Sequence, residues 1–452
     1  MKEVVMKKLN RSDSFIIGSL LFGMLFGAGN IIFPTGEGQL AAGNYLYASL
    51  GFLVTAVGLP ILAIISFSLS QKSSLFEYTL PAGKTLAYIF TLGLLLTIGP
   101  LFATPRTATV AFEIAIKPLV KGEGKLPLLI YSFLFFTLVL FFALRPSKIM
   151  DTIGKYMAPA FIVLISILMF ANILNPMGSP KDFLPQVPYD TRPFIQGILD
   201  GYSTMDVLAC LAFGIIIVEN IKRLGVKEGP AIAKQTGRSS IITLFLMSIL
   251  YITFCHFGAS SLGSLGPQKN GGLVIALASL HYFKSFGHIL LALTTSLACL
   301  KTAIGLAVSI SESLHRIFPN FLSSKTWTYI FVLISFVIAN FGLDRILQIS
   351  LPVLMFLYPL AISFILLWFS KHFFGLKDRA FQITILVACL PAILDLLMAS
   401  SDQVKNIGFV SSLLQLAKSY LPFFEIGLGW LVPVLFTLVL CFIFLRERRE
   451  VY

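Results

Sequence analysis

Few residues in this chain could do chemistry, and those that could stand inside apolar stretches. The first group lies in Phe22-Gly-Met-Leu-Phe-Gly-Ala-Gly-Asn-Ile-Ile-Phe-Pro34, where Gly23, Gly27, Gly29, Asn30 and Pro34 interrupt an apolar run. Glycine and proline weaken a helix, and an asparagine amide in hydrocarbon is costly without partners. A helix broken here frees N–H groups on one side and carbonyls on the other. The N-terminal end of a half-helix attracts a carboxylate and freed carbonyls attract a cation, the usual site of an ion-coupled carrier of small zwitterions. The bland alternative is a glycine-rich packing face between helices. A second group, Gly201-Tyr-Ser-Thr-Met-Asp206, mixes glycine, hydroxyls and an acid in a later apolar stretch. Arg106, closely preceded by Pro100 and Pro105, and Lys301 are further charges within apolar runs.

Membrane helices must position these groups. The 452 residues are 57% hydrophobic and 12% charged, with mean hydropathy +0.88, a balance no soluble globule has. The net charge of +13 comes from basic residues scattered through short connections, which membrane topology explains better than nucleic acid does. The charged Met1–Asp13 lead has no cleavage site after a short apolar core, so the first span reads as a retained helix. Cys210, Cys255, Cys299, Cys389 and Cys441 lie in apolar segments without metal spacing and read as buried thiols. There is no nucleotide-binding signature, so ATP is not the expected energy source.

Twelve apolar segments can be marked, at roughly 14–34, 45–69, 86–116, 126–144, 153–174, 194–218, 239–257, 287–314, 327–341, 346–369, 381–399 and 420–445. An even number puts both termini on one side, and the richer share of Lys and Arg makes that side cytoplasmic. The basic 219–238 connection reads as a solvated loop. The two interrupted segments are the first and the sixth. Interruptions five spans apart suggest two five-helix repeats of opposite topology. The expected fold is an all-α membrane protein with 12 transmembrane helices and broken helices 1 and 6. It forms one transporter domain over 1–452, with repeat one at about 14–174, repeat two at about 194–369 and two peripheral helices at about 381–445.

Further motifs sharpen this reading. Phe26-Gly-Ala-Gly-Asn-Ile-Ile-Phe-Pro34, Gly99-Pro-Leu-Phe-Ala-Thr-Pro-Arg-Thr-Ala-Thr-Val-Ala-Phe-Glu113, Gly201-Tyr-Ser-Thr-Met-Asp206, Leu297-Ala-Cys-Leu-Lys-Thr-Ala-Ile-Gly305 and Ile349-Ser-Leu-Pro-Val-Leu354 resemble the branched-chain amino acid:cation symporter family of bacteria. The resemblance runs from about Ser14 to Leu445. It implies uptake of leucine, isoleucine and valine with sodium across the bacterial cytoplasmic membrane, on the twelve-helix fold shared with amino acid–polyamine carriers.

An amino acid needs its carboxylate, ammonium and side chain satisfied separately. Backbone N–H groups near Ala28, Gly29 and Asn30 are candidates for the carboxylate. Carbonyls flanking the break, and those near Tyr202, Ser203 and Thr204, are candidates for the ammonium. An apolar pocket from spans three, six and eight would take the side chain. Arg106 either pairs with a charge, anchors backbone or touches substrate. Asp206 either contacts substrate or cation or supports the second break. Pro352, with Pro359 and Gly305, offers a bend for gating or a structural kink. His256, His281 and His288 fall near outer span ends and read as solvated or capping groups.

The break in the first span also resembles that of neurotransmitter:sodium symporters, in which one sodium lies between span-one carbonyls and an Ala-x-x-Thr-Ser pattern on span eight. Aligned by that pattern, this chain supplies Gly23 and Phe26 from the first span and Ala298, Lys301 and Thr302 from the eighth. A lysine has no oxygen to give sodium. Either its ammonium substitutes for the ion, giving proton-linked or uncoupled transport, or Lys301 faces elsewhere and sodium binds at another place. The expected partners are a small amino acid and the lipid bilayer. No nucleic acid, obligate protein partner or cofactor beyond Na+ or H+ is expected. Rival readings are a sodium-independent or proton-coupled carrier or exchanger that also accepts methionine, a channel, and an intramembrane enzyme. The last needs clustered His, Asp, Glu or Cys at facing depth, which the sequence does not offer. Substitution by Lys301 predicts that leucine accumulates in proteoliposomes without sodium, and that Lys301→Thr abolishes this accumulation or makes it sodium-dependent. Unchanged cation dependence in the mutant opposes it.

Overall fold

An apolar chain in hydrocarbon has to pair its own peptide groups, and helices do so segment by segment. A computed structural model describes residues 11–27, 29–120, 125–145, 162–226 and 229–446. Among them the chain is helical, apart from one isolated antiparallel bridge between Leu376 and Arg446. The helices begin with α1 (Arg11–Leu25), α2 (Gly29–Ala41), α3 (Tyr45–Leu53), α4 (Leu59–Ser70), α5 (Leu75–Thr79), α6 (Lys84–Leu96) and α7 (Ala103–Ala115). Then come α8 (Lys125–Leu144), α9 (Ile162–Leu174), α10 (Pro193–Asp200), α11 (Asp206–Arg223), α12 (Gly229–Leu265) and α13 (Gly271–Ile317). The chain continues with α14 (Ser324–Ala339), α15 (Leu343–Phe374), α16 (Asp378–Ala399), α17 (Asp402–Lys405), α18 (Gly408–Tyr420) and α19 (Leu431–Phe444).

Seven helical stretches among the described residues are long and apolar enough to cross a membrane, and eight if the bent pair around Met205 counts as one. Shorter apolar helices occur within α1 and at α9, α14 and α19. Several helices are locally irregular where the sequence asks for it. A π turn at Thr97–Leu101 separates α6 from α7, with Gly99 at φ −97°, ψ −122°, just ahead of Arg106. Pro100 and Pro105 foreshadow that irregularity. A second π turn, Val54–Gly58, joins α3 to α4.

Two expectations change. The basic 219–238 stretch is mostly helix and not a solvated loop: Lys222 and Arg223 close α11, where cations suit the carbonyl end, and Lys234 and Arg238 lie on α12. Lys227 lies outside the described residues. Pro230, within the first turn of α12, needs no intrahelical donor there. The eighth apolar segment is extended backwards. Asn270 caps α13 by accepting from the Leu273 N–H at 3.0 Å, and α13 breaks at Lys284, where φ is 57°. Residues 271–283 thus form a separate helical arm before the 285–317 helix.

Packing is uneven along the bundle. The α2 backbone lies directly on α12: a Cβ on Gly38 would sit 1.9 Å from the Cys255 oxygen, and one on Gly258 would sit 1.9 Å from the Thr35 oxygen. The α3–α10 contact is built the same way, with Gly51 against the Phe194 oxygen and Gly197 against the Ala48 oxygen. Small residues permit such close approach between membrane helices. At the other end of the same helical pathway, Cβ atoms on Gly23 of α1 and Gly305 of α13 would meet open space. Gly258→Ala is therefore expected to force α2 off α12 at a cost of about 1–3 kcal/mol. Gly305→Ala is expected to be neutral or to stabilise by up to about 1 kcal/mol. Thermal unfolding of the purified variants reads both.

Candidate functional site

The two sequence interruptions are both helix breaks, and they face each other. α1 ends at Leu25 and α2 starts at Gly29. Between them the Gly27 N–H donates to Asn30 Oδ1 at 3.3 Å, and the Asn30 N–H donates to the Gly27 oxygen at 3.1 Å. The asparagine thus closes the turn with its own side chain. The second break runs through a single 3₁₀ turn, Gly201–Thr204, into Met205, whose φ of 63° is left-handed. α11 then leaves at 45° to the preceding helix. The Thr204 hydroxyl donates to the Gly201 oxygen at 2.9 Å and accepts from the Asp206 N–H at 3.3 Å, which spans the turn.

Side chains cross-link the breaks. Asn30 Nδ2 donates to Asp206 Oδ2 and to Tyr251 Oη, each at 2.6 Å, and Tyr251 Oη donates to the same carboxylate oxygen at 3.2 Å. The Asp206 Oδ1 atom takes no part in this triangle. Arg106, buried on α7, donates from Nη1 to the Ser203 oxygen at 2.7 Å and from Nη2 to the Thr204 oxygen at 3.4 Å. Its guanidinium carbon stands 4.8 Å from the centroid of Phe33, and a Cβ on Gly29 would lie 2.9 Å from its Nη2. Gly29 is thus where backbone and guanidinium meet. Arg106 and Asp206 act on each other's charge, but no direct ion pair joins them among the described residues.

These groups surround a cavity of about 130 Å³. Its polar wall includes Gly29, Asn30, Arg106, Thr107, Thr204 and Asp206; Ile98, Ala103, Ala209, Phe213 and Leu306 are apolar. Of the residues expected to bind substrate, Gly29, Asn30, Thr204 and Asp206 line it. Tyr202 does not. It is buried and stacks on Tyr358 with ring centroids 4.0 Å apart. Ser203 enters through its carbonyl, which Arg106 already holds. Ala28 lies outside the described residues. Of the residues expected around a cation, Gly23, Phe26 and Thr302 line the same cavity. Ala298 accepts the Thr302 hydroxyl at 3.1 Å, and Lys301 is exposed beside it. Pro352 is half-buried within the continuous helix α15.

Tyr251 and Phe33 were not singled out from the sequence. A tyrosine in the middle of an apolar segment is the signal that could have found the first, since its hydroxyl needs a partner there. Nothing in the sequence distinguishes Phe33 from other phenylalanines of the chain. His288 is not solvated: it is buried, with Nδ1 3.0 Å from the Ser279 hydroxyl. Among the described residues no group of His, Cys, Asp and Glu is placed to hold a metal ion.

A family model described as branched-chain amino acid transport protein matches residues 10–448. The branched-chain amino acid permease BrnQ of Lactobacillus delbrueckii subsp. lactis is 42% identical over 430 residues, covering 95% of this chain and 96% of that one. BrnQ of Bacillus subtilis (strain 168) is 37% identical over 430 residues with the same coverage, and BrnQ of Escherichia coli (strain K12) is 35% identical over 439 residues, 97% of each chain. Among solved structures, the inward-facing conformation of Mhp1 is similar with a TM-score of 0.64 and 13% identity, covering 97% of this chain and 94% of that one. MhsT in complex with L-phenylalanine is similar with a TM-score of 0.54 and 15% identity, covering 95% and 98%. At such identities the likeness is one of fold: the all-helical, multi-pass architecture of these transporters. The chain belongs to the branched-chain amino acid transport protein family, and it is a transporter and not an enzyme.

Proposed function

We propose that this chain imports leucine, isoleucine and valine across the bacterial cytoplasmic membrane by cation-coupled alternating access. One observation carries the reading. The ends of two broken helices, a guanidinium, a carboxylate and an aliphatic wall converge on a single small cavity. Those are the three recognition needs of a branched-chain amino acid. The substrate carboxylate faces the first turn of α2 and Arg106, where orphan N–H groups and a cation favour negative charge. The ammonium faces Asp206 Oδ1 and the carbonyl end of α1. The Ser203 and Thr204 carbonyls are not free for it, because Arg106 engages both. The side chain lies against Ala103, Ala209, Phe213 and Leu306.

In this reading α1–α2 is the first transmembrane helix and α10–α11 the sixth of twelve. They stand at corresponding positions in two inverted five-helix repeats, and α16 and α19 are peripheral. Both termini are cytoplasmic. The close α2–α12 and α3–α10 contacts then belong to a shut outer half, and the open space at Gly23 and Gly305 to an inner half that faces the cytoplasm. The coupling locus is the inner side of the same cavity, at Gly23, Phe26 and Thr302, with Ala298 behind. Lys301, exposed next to Thr302, is not among the residues lining this cavity, which favours the reading in which it faces elsewhere and the coupling ion binds at Gly23, Phe26 and Thr302.

Two experiments test the substrate site. Asp206→Asn keeps a hydrogen-bonding oxygen for Asn30 and Tyr251 but loses the charge. Leucine binding measured by calorimetry is expected to weaken by about 2 kcal/mol or more, roughly 30-fold. Unchanged affinity opposes the ammonium assignment. Ala209→Val narrows the aliphatic wall. Competition against radiolabelled substrate is expected to move preference from leucine toward alanine by about 1–3 kcal/mol, and an unaltered preference opposes this pocket.

A further inference from the structure

A second polar cluster lies outside the cavity, on the halves of the broken helices that lead away from Lys301. Glu37 of α2 is 3% exposed, and its Oε1 has no hydrogen-bond partner. Its Oε2 faces the Cys255 thiol at 4.0 Å, a weak donor. Asp200 of α10 accepts from Tyr189 Oη at 2.6 Å and from Gln196 Nε2 at 2.9 Å. The two carboxylates act on one another's charge, and both act on Tyr189 and Cys255. Burial first, then Asp200 and Glu37, hold the Tyr189 phenol, in the 183–192 connection, well above its usual value. It therefore remains a donor.

No ion pair reaches either acid from a neighbouring element among the described residues; the 183–192 connection carries exposed Asp190 and half-buried Arg192. α12 brings Cys255 and half-buried His256, whose ring meets the edge of Tyr45 from α3 at 5.3 Å. α7 brings Arg106, held by Ser203, Thr204 and Phe33 one turn nearer the cavity, and Glu113, which lies by Gly272. The 271–283 arm carries His281, which is exposed, and the 201–204 turn carries no charge. No salt bridge among the described residues engages Glu37 or Asp200. A buried carboxylate without a partner lacks hydration, a neighbouring acid repels it further, and a proton on Glu37 relieves both penalties.

We propose that Glu37, with Asp200 as its acidic neighbour, is a proton-binding site in the outer gate. One proton is bound when α2 and α10 are shut against α12 and α3, and it returns to water when they part. The proton comes from the water of the closing cleft, so no other reactant is needed. The inference rests on the alternating-access reading given above, with these halves facing outward. The sign follows from linkage: the shut state binds the proton and the open state does not, so rising external pH favours opening.

The test uses the purified full chain without substrate. Hydrogen–deuterium exchange is followed on peptides covering residues 29–44 and 183–201, from about pH 5.5 to about pH 8.5, after correction for intrinsic rates. Protection in the wild type is expected to fall by about tenfold or more over that range. Glu37→Gln, which mimics the protonated acid, is expected to stay protected throughout, and Asp200→Asn, which removes the repulsion, is expected to move the fall to lower pH. Glu37→Asp is expected to keep the pH response. A flat wild-type profile overturns the proposal and requires no variant. So does a Glu37→Gln profile that parallels the wild type, or a loss of the pH response when sodium is removed, which would identify a metal cation as the occupant. Because no amino acid is present, failure here leaves the Asp206→Asn binding result standing by itself.

Discussion

Peptide groups at the ends of helices have no partners within their own helix, and this chain puts four such ends at one place inside an apolar bundle. Everything around the cavity answers that constraint. Arg106 takes the carbonyls of Ser203 and Thr204 at the end of the 3₁₀ turn. Asn30 closes the first break and reaches across to the Asp206 carboxylate at the second. A cation on carbonyls and an acid at a helix start are what the two helix dipoles favour. Without these groups the helix ends would be left unsatisfied in apolar surroundings.

The same constraint divides labour along the bundle. Side chains hold the middle together through directed hydrogen bonds. The α2–α12 and α3–α10 contacts are held by backbone proximity at Gly38, Gly258, Gly51 and Gly197. The α2–α12 contact adds a side-chain bond, Gln39 Nε2 to Ser261 Oγ at 2.8 Å. The hydrogen-bonded middle has to rearrange partner by partner.

Much of this was legible in the residues because membrane burial makes polar outliers conspicuous. Asn30, Arg106 and Asp206 stood out as costly groups in apolar runs, and all three converge on one site. The glycine and proline clusters marked the irregular backbone at residues 26–27 and 97–101. What could not be read were partners chosen by tertiary packing. Met205 adopts a left-handed conformation with nothing in its side chain to announce it. Tyr251 reaches Asp206 from a helix 45 residues further on. Glu37 sits one helical turn past Phe33, beyond the apolar segment marked at 14–34, and nothing in its neighbours announces its burial. Chain ends of helices were also poorly marked, since the basic 219–238 stretch is helical on both sides of its turn.

The cavity's charge balance bears on how the membrane potential acts. Arg106 and Asp206 contribute one charge of each sign, and a zwitterionic amino acid adds none. A site that is neutral both empty and loaded offers the field nothing to pull on, although a single uncompensated charge crossing the bilayer is worth about 2.3 kcal/mol per 100 mV. In the proposed cycle, any current that accompanies turnover is therefore carried by charges other than the substrate and this pair.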